Sequence, residues 1–126
     1  GMPVLAECGG FLYLHEMLEG SDGSVYKMAG IYKQKAFNAG RLGRFGYISL
    51  TGPGGMKIKG HEFHYWESGD SGEDWLAEKP ASDRSWHCIH QDGPRICGFP
   101  HFYYLSAPSF TEWWLEQCRL WRKDTI

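Results

Sequence analysis

Val4-Leu5-Ala6-Glu7-Cys8-Gly9-Gly10-Phe11-Leu12-Tyr13-Leu14 is the stretch from which the fold is read. A short apolar, strand-like run ends at a cysteine. Two glycines follow, and then Phe11, Leu14 and Leu18 recur at helical spacing to about Glu19, with Gly20 as a stop signal. A strand that passes into a helix through so tight a turn strains the backbone, and small residues are needed two places to either side. Ala6 and Gly10 meet that demand, and Gly9 is freely permissive. The helix start directs free N–H groups and a positive dipole end at the Cys8 sulfur, which favours the thiolate. The same N–H groups, at Gly9 and Gly10, suit an oxyanion. Cys8 is thus a candidate nucleophile, although the local pattern fits a buried small cysteine equally well.

Outward from this stretch, the helical spacing puts His15 mid-helix on the surface. Ser21-Asp22-Gly23 reads as a turn, Tyr26 to Tyr32 as a strand and residues 33–44, polar and glycine-rich, as a loop. Phe45 to Leu50 predicts a strand. After the turn at residues 51–55, Met56-Lys57-Ile58-Lys59 alternates as a half-buried strand does. His61-Glu62-Phe63-His64-Tyr65-Trp66 follows as the densest polar and aromatic cluster. Residues 67–84 are rich in Ser, Gly, Asp and Glu and read as a flexible insertion. Trp86 to His90 and Arg95 to Cys97, flanking Gln91-Asp92-Gly93-Pro94, read as a hairpin, and an aromatic strand from His101 to Leu105 comes next. The last element is a helix with a Ser109/Glu112 capping box, and Phe110, Trp113, Trp114, Cys118 and Trp121 form its core face. The chain is expected to be one α/β domain over residues 1–126.

Charge excludes several function classes. Thirteen Lys plus Arg against fifteen Asp plus Glu gives 13 − 15 = −2 with His neutral. So balanced a chain lacks the field that drives binding to nucleic acid or to anionic membranes. No apolar run reaches the roughly 18 residues of a membrane span. With no basic leader and no Cys-x-x-Cys pair, the expected location is cytoplasmic, with reduced thiols. Gly1 ahead of Met2 reads as a scar of tag removal.

A cysteine nucleophile needs a base. His87 and His90, with Cys88 between them, fall on opposite faces of a strand and make a poor chelate, so no metal site is expected. His61 and His64 share that parity problem, whereas Glu62 and His64 lie on one face. His101, after Gly98-Phe99-Pro100, opens a strand whose end can present it to a cleft.

Three ordered blocks now carry a resemblance: residues 3–14, then Arg44-Phe45-Gly46-Tyr47 with Lys59-Gly60-His61-Glu62-Phe63-His64-Tyr65, then Gly98-Phe99-Pro100-His101-Phe102-Tyr103-Tyr104 with Ser106-Ala107-Pro108. Together they resemble the class I glutamine amidotransferase domain of the cobyrinic acid a,c-diamide synthase and cobyric acid synthase family. The resemblance implies a flavodoxin-like three-layer α/β fold with a mixed sheet and a C-terminal helix, here lacking its first strands. It implies that Cys8 attacks the side-chain amide of glutamine, that His101 is its acid/base partner and that the Gly9 N–H is an oxyanion donor. Tyr103 stands where many class I relatives have a glutamate that orients the histidine, so the expected machinery is a Cys/His dyad. Glu62, His64 and Tyr47 are candidate cleft residues.

The family's ATP-binding domain has no counterpart in this sequence: Gly52-Pro53-Gly54-Gly55-Met56-Lys57 has the wrong spacing for a phosphate loop. ATP and Mg²⁺ are therefore expected on a separate synthetase chain, with no cofactor in this one. Early strands missing from the family domain leave the oxyanion hole half-built and a sheet edge exposed, which predicts a homodimer or a bound partner. A non-catalytic remnant or assembly module with the family fold is the alternative expectation.

Overall fold

In the computed structural model, which describes residues 1–125, Val4–Glu7 forms β1 and the chain turns at Cys8 into α1, Gly9–Tyr13. The helix is shorter than its apolar spacing predicts. His15–Glu19 continues as β2, and His15 is fully buried rather than on a helix surface. Its Nδ1 lies 2.8 Å from the Phe11 carbonyl oxygen and its Nε2 2.6 Å from the Ser68 hydroxyl. With both ring nitrogens partnered, the imidazole is buried without a lost hydrogen bond, and this overrides helical periodicity.

The expected strand from Tyr26 to Tyr32 is split between β3 (Val25–Lys27) and β4 (Tyr32–Asn38), and β4 occupies much of the segment read as a loop. It is a polar strand in which only Ala36 is buried, so period-2 alternation is faint. Its ladder comes from its neighbours: β2 pairs with it in parallel, and β7 (Trp66–Ser68) antiparallel, in a sheet of order β3-β2-β4-β7.

β5 (Phe45–Thr51) and β6 (Lys57–Phe63) pair over their full length across the turn at Pro53–Gly55. β8 (Trp75–Glu78) joins β5, and β9 (Ser85–Cys88) joins β8. The reading of residues 67–84 as a flexible insertion is corrected here. Trp75 and Ala77 of β8 are buried in the core, and Trp75 Nε1 donates to Gln91 Oε1 at 2.7 Å. Burial of one large ring anchors a strand that local composition conceals.

β10 (His90–Asp92) and β11 (Arg95–Gly98) form a hairpin tighter than expected, since Gln91 and Asp92 are in the strand while Trp86–Cys88 pairs with β8 in the other sheet, and β1 adds to β11 in parallel with Glu7 opposite Gly98. Three buried residues, Gly98-Phe99-Pro100, then lead into β12 (His101–Tyr103), which pairs with the free edge of β6. α2 (Pro108–Thr125) begins one residue before the expected capping box. The Ala107 carbonyl accepts from the Phe110 and Thr111 N–H groups, and Pro108 sits in the first turn where its missing N–H costs nothing. Phe110 is fully buried, with Trp113 and Trp114 packed beside it. Together they cover Ile48, Leu50, Ile58, Trp75 and Phe102 on the inner face of the five-stranded sheet β12-β6-β5-β8-β9. The result is α/β, with mixed sheets and a C-terminal helix.

Candidate active site

Cys8 sits at the strand-to-helix junction with φ 50° and ψ −105°, a left-handed backbone conformation that a non-glycine residue rarely adopts. Three features hold it there. Its N–H donates to the Gly98 carbonyl at 2.9 Å, its carbonyl accepts from Leu12 N–H at 2.9 Å, and a Cβ on Gly10 would lie 3.5 Å from the Ala6 Cβ. Ala6 and Gly10 thus face each other across the turn at a distance that would still admit a methyl group at residue 10 as an ordinary contact.

The thiol is not shifted toward thiolate as the helix argument predicts. Burial pushes its pKa up, the Gly9 N–H pulls it down, and the carboxylates of Glu62 and Glu7 raise it again. A five-residue helix offers one well-placed donor, which does not offset desolvation.

His101 opens β12, opposite His61 of β6. The two imidazoles stack with centroids 4.8 Å apart, and His101 Nδ1 lies 3.7 Å from Glu7 Oε2. Burial holds the His101 pKa below its ordinary value. His61 and His64 lower it further, and Glu7 opposes them. Close approach of β12 depends on Gly60: a Cβ there would overlap the His101 carbonyl oxygen and lie 3.1 Å from Leu50 Cδ1.

Glu62 and His64 share a face, as strand parity predicts, but that face is the inner one. Glu62 is 1% exposed and His64 5%. His64 Nδ1 lies 2.7 Å from the Trp66 carbonyl and its Nε2 3.4 Å from Glu62 Oε1, while its ring stacks on Phe99 at 3.9 Å. Burial opposes charge on His64, yet Glu62, the Trp66 carbonyl and Glu67 hold its pKa above the ordinary value. Glu62 Oε2 is buried without a partner. The pair therefore supports the site from within instead of lining an open cleft.

Tyr47 does line a groove, of about 630 Å³, together with Ser49, Lys59, His61, Phe102 and Tyr103. Tyr47, His61 and His101 form one row across three strands. His61, set aside in the sequence because it cannot share a face with His64, is the ring that stacks on His101. Parity with Tyr47 was the available signal.

Residues 1–104 match the family model described as the CobB/CobQ-like glutamine amidotransferase domain. The chain belongs to that family. Among its relatives are cobyrinate a,c-diamide synthases of Fusobacterium nucleatum subsp. nucleatum, 36% identical over 117 residues, and of Priestia megaterium, 32% identical over 139 residues. These alignments cover 89% and 98% of this chain but 26% and 29% of the respective relatives, so the chain spans little more than a quarter of their length. A third, from Salmonella typhimurium, is 30% identical over 138 residues, covering 94% of this chain and 28% of that protein. Among the described residues of this amidotransferase-family chain, no helix is long and apolar enough to cross a membrane.

Proposed function

We propose that this chain is a glutamine-hydrolysing module that supplies ammonia for the ATP-dependent amidation of a corrinoid carboxylate, the type of reaction for which its relatives are named. The observation that supports this reading is Cys8 at φ 50° on a strand-to-helix turn, with the neighbouring Glu7 carboxylate 3.7 Å from His101 Nδ1. Cys8 Sγ attacks the side-chain carbonyl carbon of glutamine as His101 takes the thiol proton. The Gly9 N–H, aided by Gly10, receives the oxyanion. Collapse of the tetrahedral species expels ammonia with the proton returned by His101, and water then hydrolyses the glutamyl thioester.

On this reading ATP and Mg²⁺ are held by a synthetase unit. Exposed Phe45, Tyr47, Phe63 and Tyr103 on the outer sheet face support the reading that a further polypeptide packs there. A second copy of this chain is the competing occupant, and sedimentation with and without a synthetase chain separates the two.

The test is labelling with a glutamine-analogue diazoketone, read by peptide mass, alongside ammonia release from glutamine. Modification confined to Cys8, abolished in Cys8→Ala and slowed in His101→Ala, is expected. Slow, uniform modification of all four thiols would sink the reading.

A further inference from the structure

We propose that Glu7, the residue immediately before the nucleophile, is the positioning carboxylate for His101, and that Tyr104 and the Phe102 backbone hold Glu7 in place. This rests on the reading of Cys8 and His101 as a dyad. It answers what fixes the imidazole when Tyr103 stands two residues beyond it.

The geometry assembles from both ends of the chain. Glu7 is the last residue of β1 and lies opposite Gly98 of β11, so the three-residue step to His101 brings that histidine back over the Glu7 side chain. The two carboxylate oxygens have different partners. Oε1 accepts from the Phe102 N–H at 3.3 Å and from the Tyr104 hydroxyl, and Oε2 is 3.7 Å from His101 Nδ1. A carboxylate clamped at one oxygen has its other oxygen aimed, so its orientation does not depend on free rotation of a long side chain. Placed at Nδ1, it favours the tautomer that carries the proton there and leaves Nε2 free to take a proton from the thiol. It also stabilises the imidazolium formed once the proton has moved.

The surroundings leave Glu7 alone in this role. The groups facing His101 are Glu7 from β1, His61 stacked from β6 and His64 just beyond β6. Of these only Glu7 favours the charged ring, and the two histidines oppose it.

Glu7→Gln is the decisive variant, because its side-chain oxygen still accepts from Phe102 N–H and Tyr104 and the shape is unchanged. Two readouts are taken on the full chain: the His101 titration by NMR, and the rates of Cys8 modification by the diazoketone and by iodoacetamide. The His101 midpoint is expected to move down. Diazoketone labelling is expected to slow by about ten- to a hundredfold, short of the roughly 10⁴-fold lost in a buried Ser-His-Asp triad because both groups here are partly exposed. Iodoacetamide, which needs only the thiolate, should react as fast or faster, since Glu7 also raises the Cys8 pKa. Tyr104→Phe should slow diazoketone labelling in the same direction, by less.

A folded Glu7→Gln protein with an unmoved His101 midpoint and wild-type diazoketone labelling would overturn the assignment. If the wild-type chain takes up no diazoketone at Cys8, the amidotransferase reading fails instead. The titration then decides alone: a lowered midpoint in Glu7→Gln keeps Glu7 as the positioning group, and an unmoved one removes it.

Discussion

Gly60→Ala tests whether the site depends on how closely two strands approach. The new methyl would overlap the His101 carbonyl oxygen and press on Leu50 Cδ1 at 3.1 Å. The oxygen belongs to the backbone of β12, so no side chain can rotate away. Either β12 lifts from β6 or β6 buckles. Forcing one carbon into such a contact costs about 1–3 kcal/mol. In a domain of this size that is a fall of about 4–12 °C in Tm. The same displacement moves His101 relative to Glu7 and Cys8, and a misplacement of about 1 Å can cost about a hundredfold in rate. Thermal unfolding by circular dichroism and diazoketone labelling, carried out well below the lowered Tm, measure the two effects separately. Ile58→Val, a deletion on the same inner face costing about 0.5–1.5 kcal/mol, controls for stability loss without strand displacement. A Gly60→Ala protein that melts within about 1 °C of wild type and labels at the wild-type rate would refute the dependence of His101 on this approach.

Two further outcomes follow from the packing and the charges. Trp75→Ala removes a ring that is 1% exposed and packed 5.3 Å from Phe102, and should cost about 3–5 kcal/mol in urea unfolding, whereas a mobile insertion would tolerate it. His64 has a raised pKa in the fold, so its contribution to stability is fully present below the unfolded value of 6.5 and is lost as pH rises through the higher folded value. Urea unfolding across that range should show this decline in the wild type and a flatter profile in His64→Gln. A decline that persists unchanged in the variant would assign it to another group.

The elements legible in the sequence are those whose local chemistry agrees with their tertiary setting. The turn at Cys8 declares itself through Ala6, Gly9 and Gly10, and the alternation of β6 places Glu62 and His64 on one face correctly. Three misreadings share a cause. The helical pattern puts His15 on the surface, but hydrogen bonds to Phe11 and Ser68 let it be buried in a strand instead. β4 is polar because its neighbours, and not its own side chains, complete it. β8 is four residues within a stretch whose average composition is that of a loop, and Trp75 alone betrays it. The site was half legible for a similar reason. Cys8 and His101 stand out by type and setting, whereas Glu7 acquires meaning only through a strand register that no local window contains.

The two pKa directions at the site constrain the proposed chemistry further. Burial raises the Cys8 thiol, and burial with two neighbouring histidines lowers His101, so both shifts favour the neutral pair over thiolate and imidazolium. A resting ion pair is therefore not what this pocket stabilises. On the proposed mechanism the proton must leave Sγ as the sulfur approaches the amide carbon, when the negative charge passes to an oxygen facing the Gly9 N–H. The positive charge then appears on His101, and there the carboxylate of Glu7 acts in its favour. Glu7, which adds only a little to the effect of burial on the thiol, thus stabilises the imidazolium once the bond has begun to form.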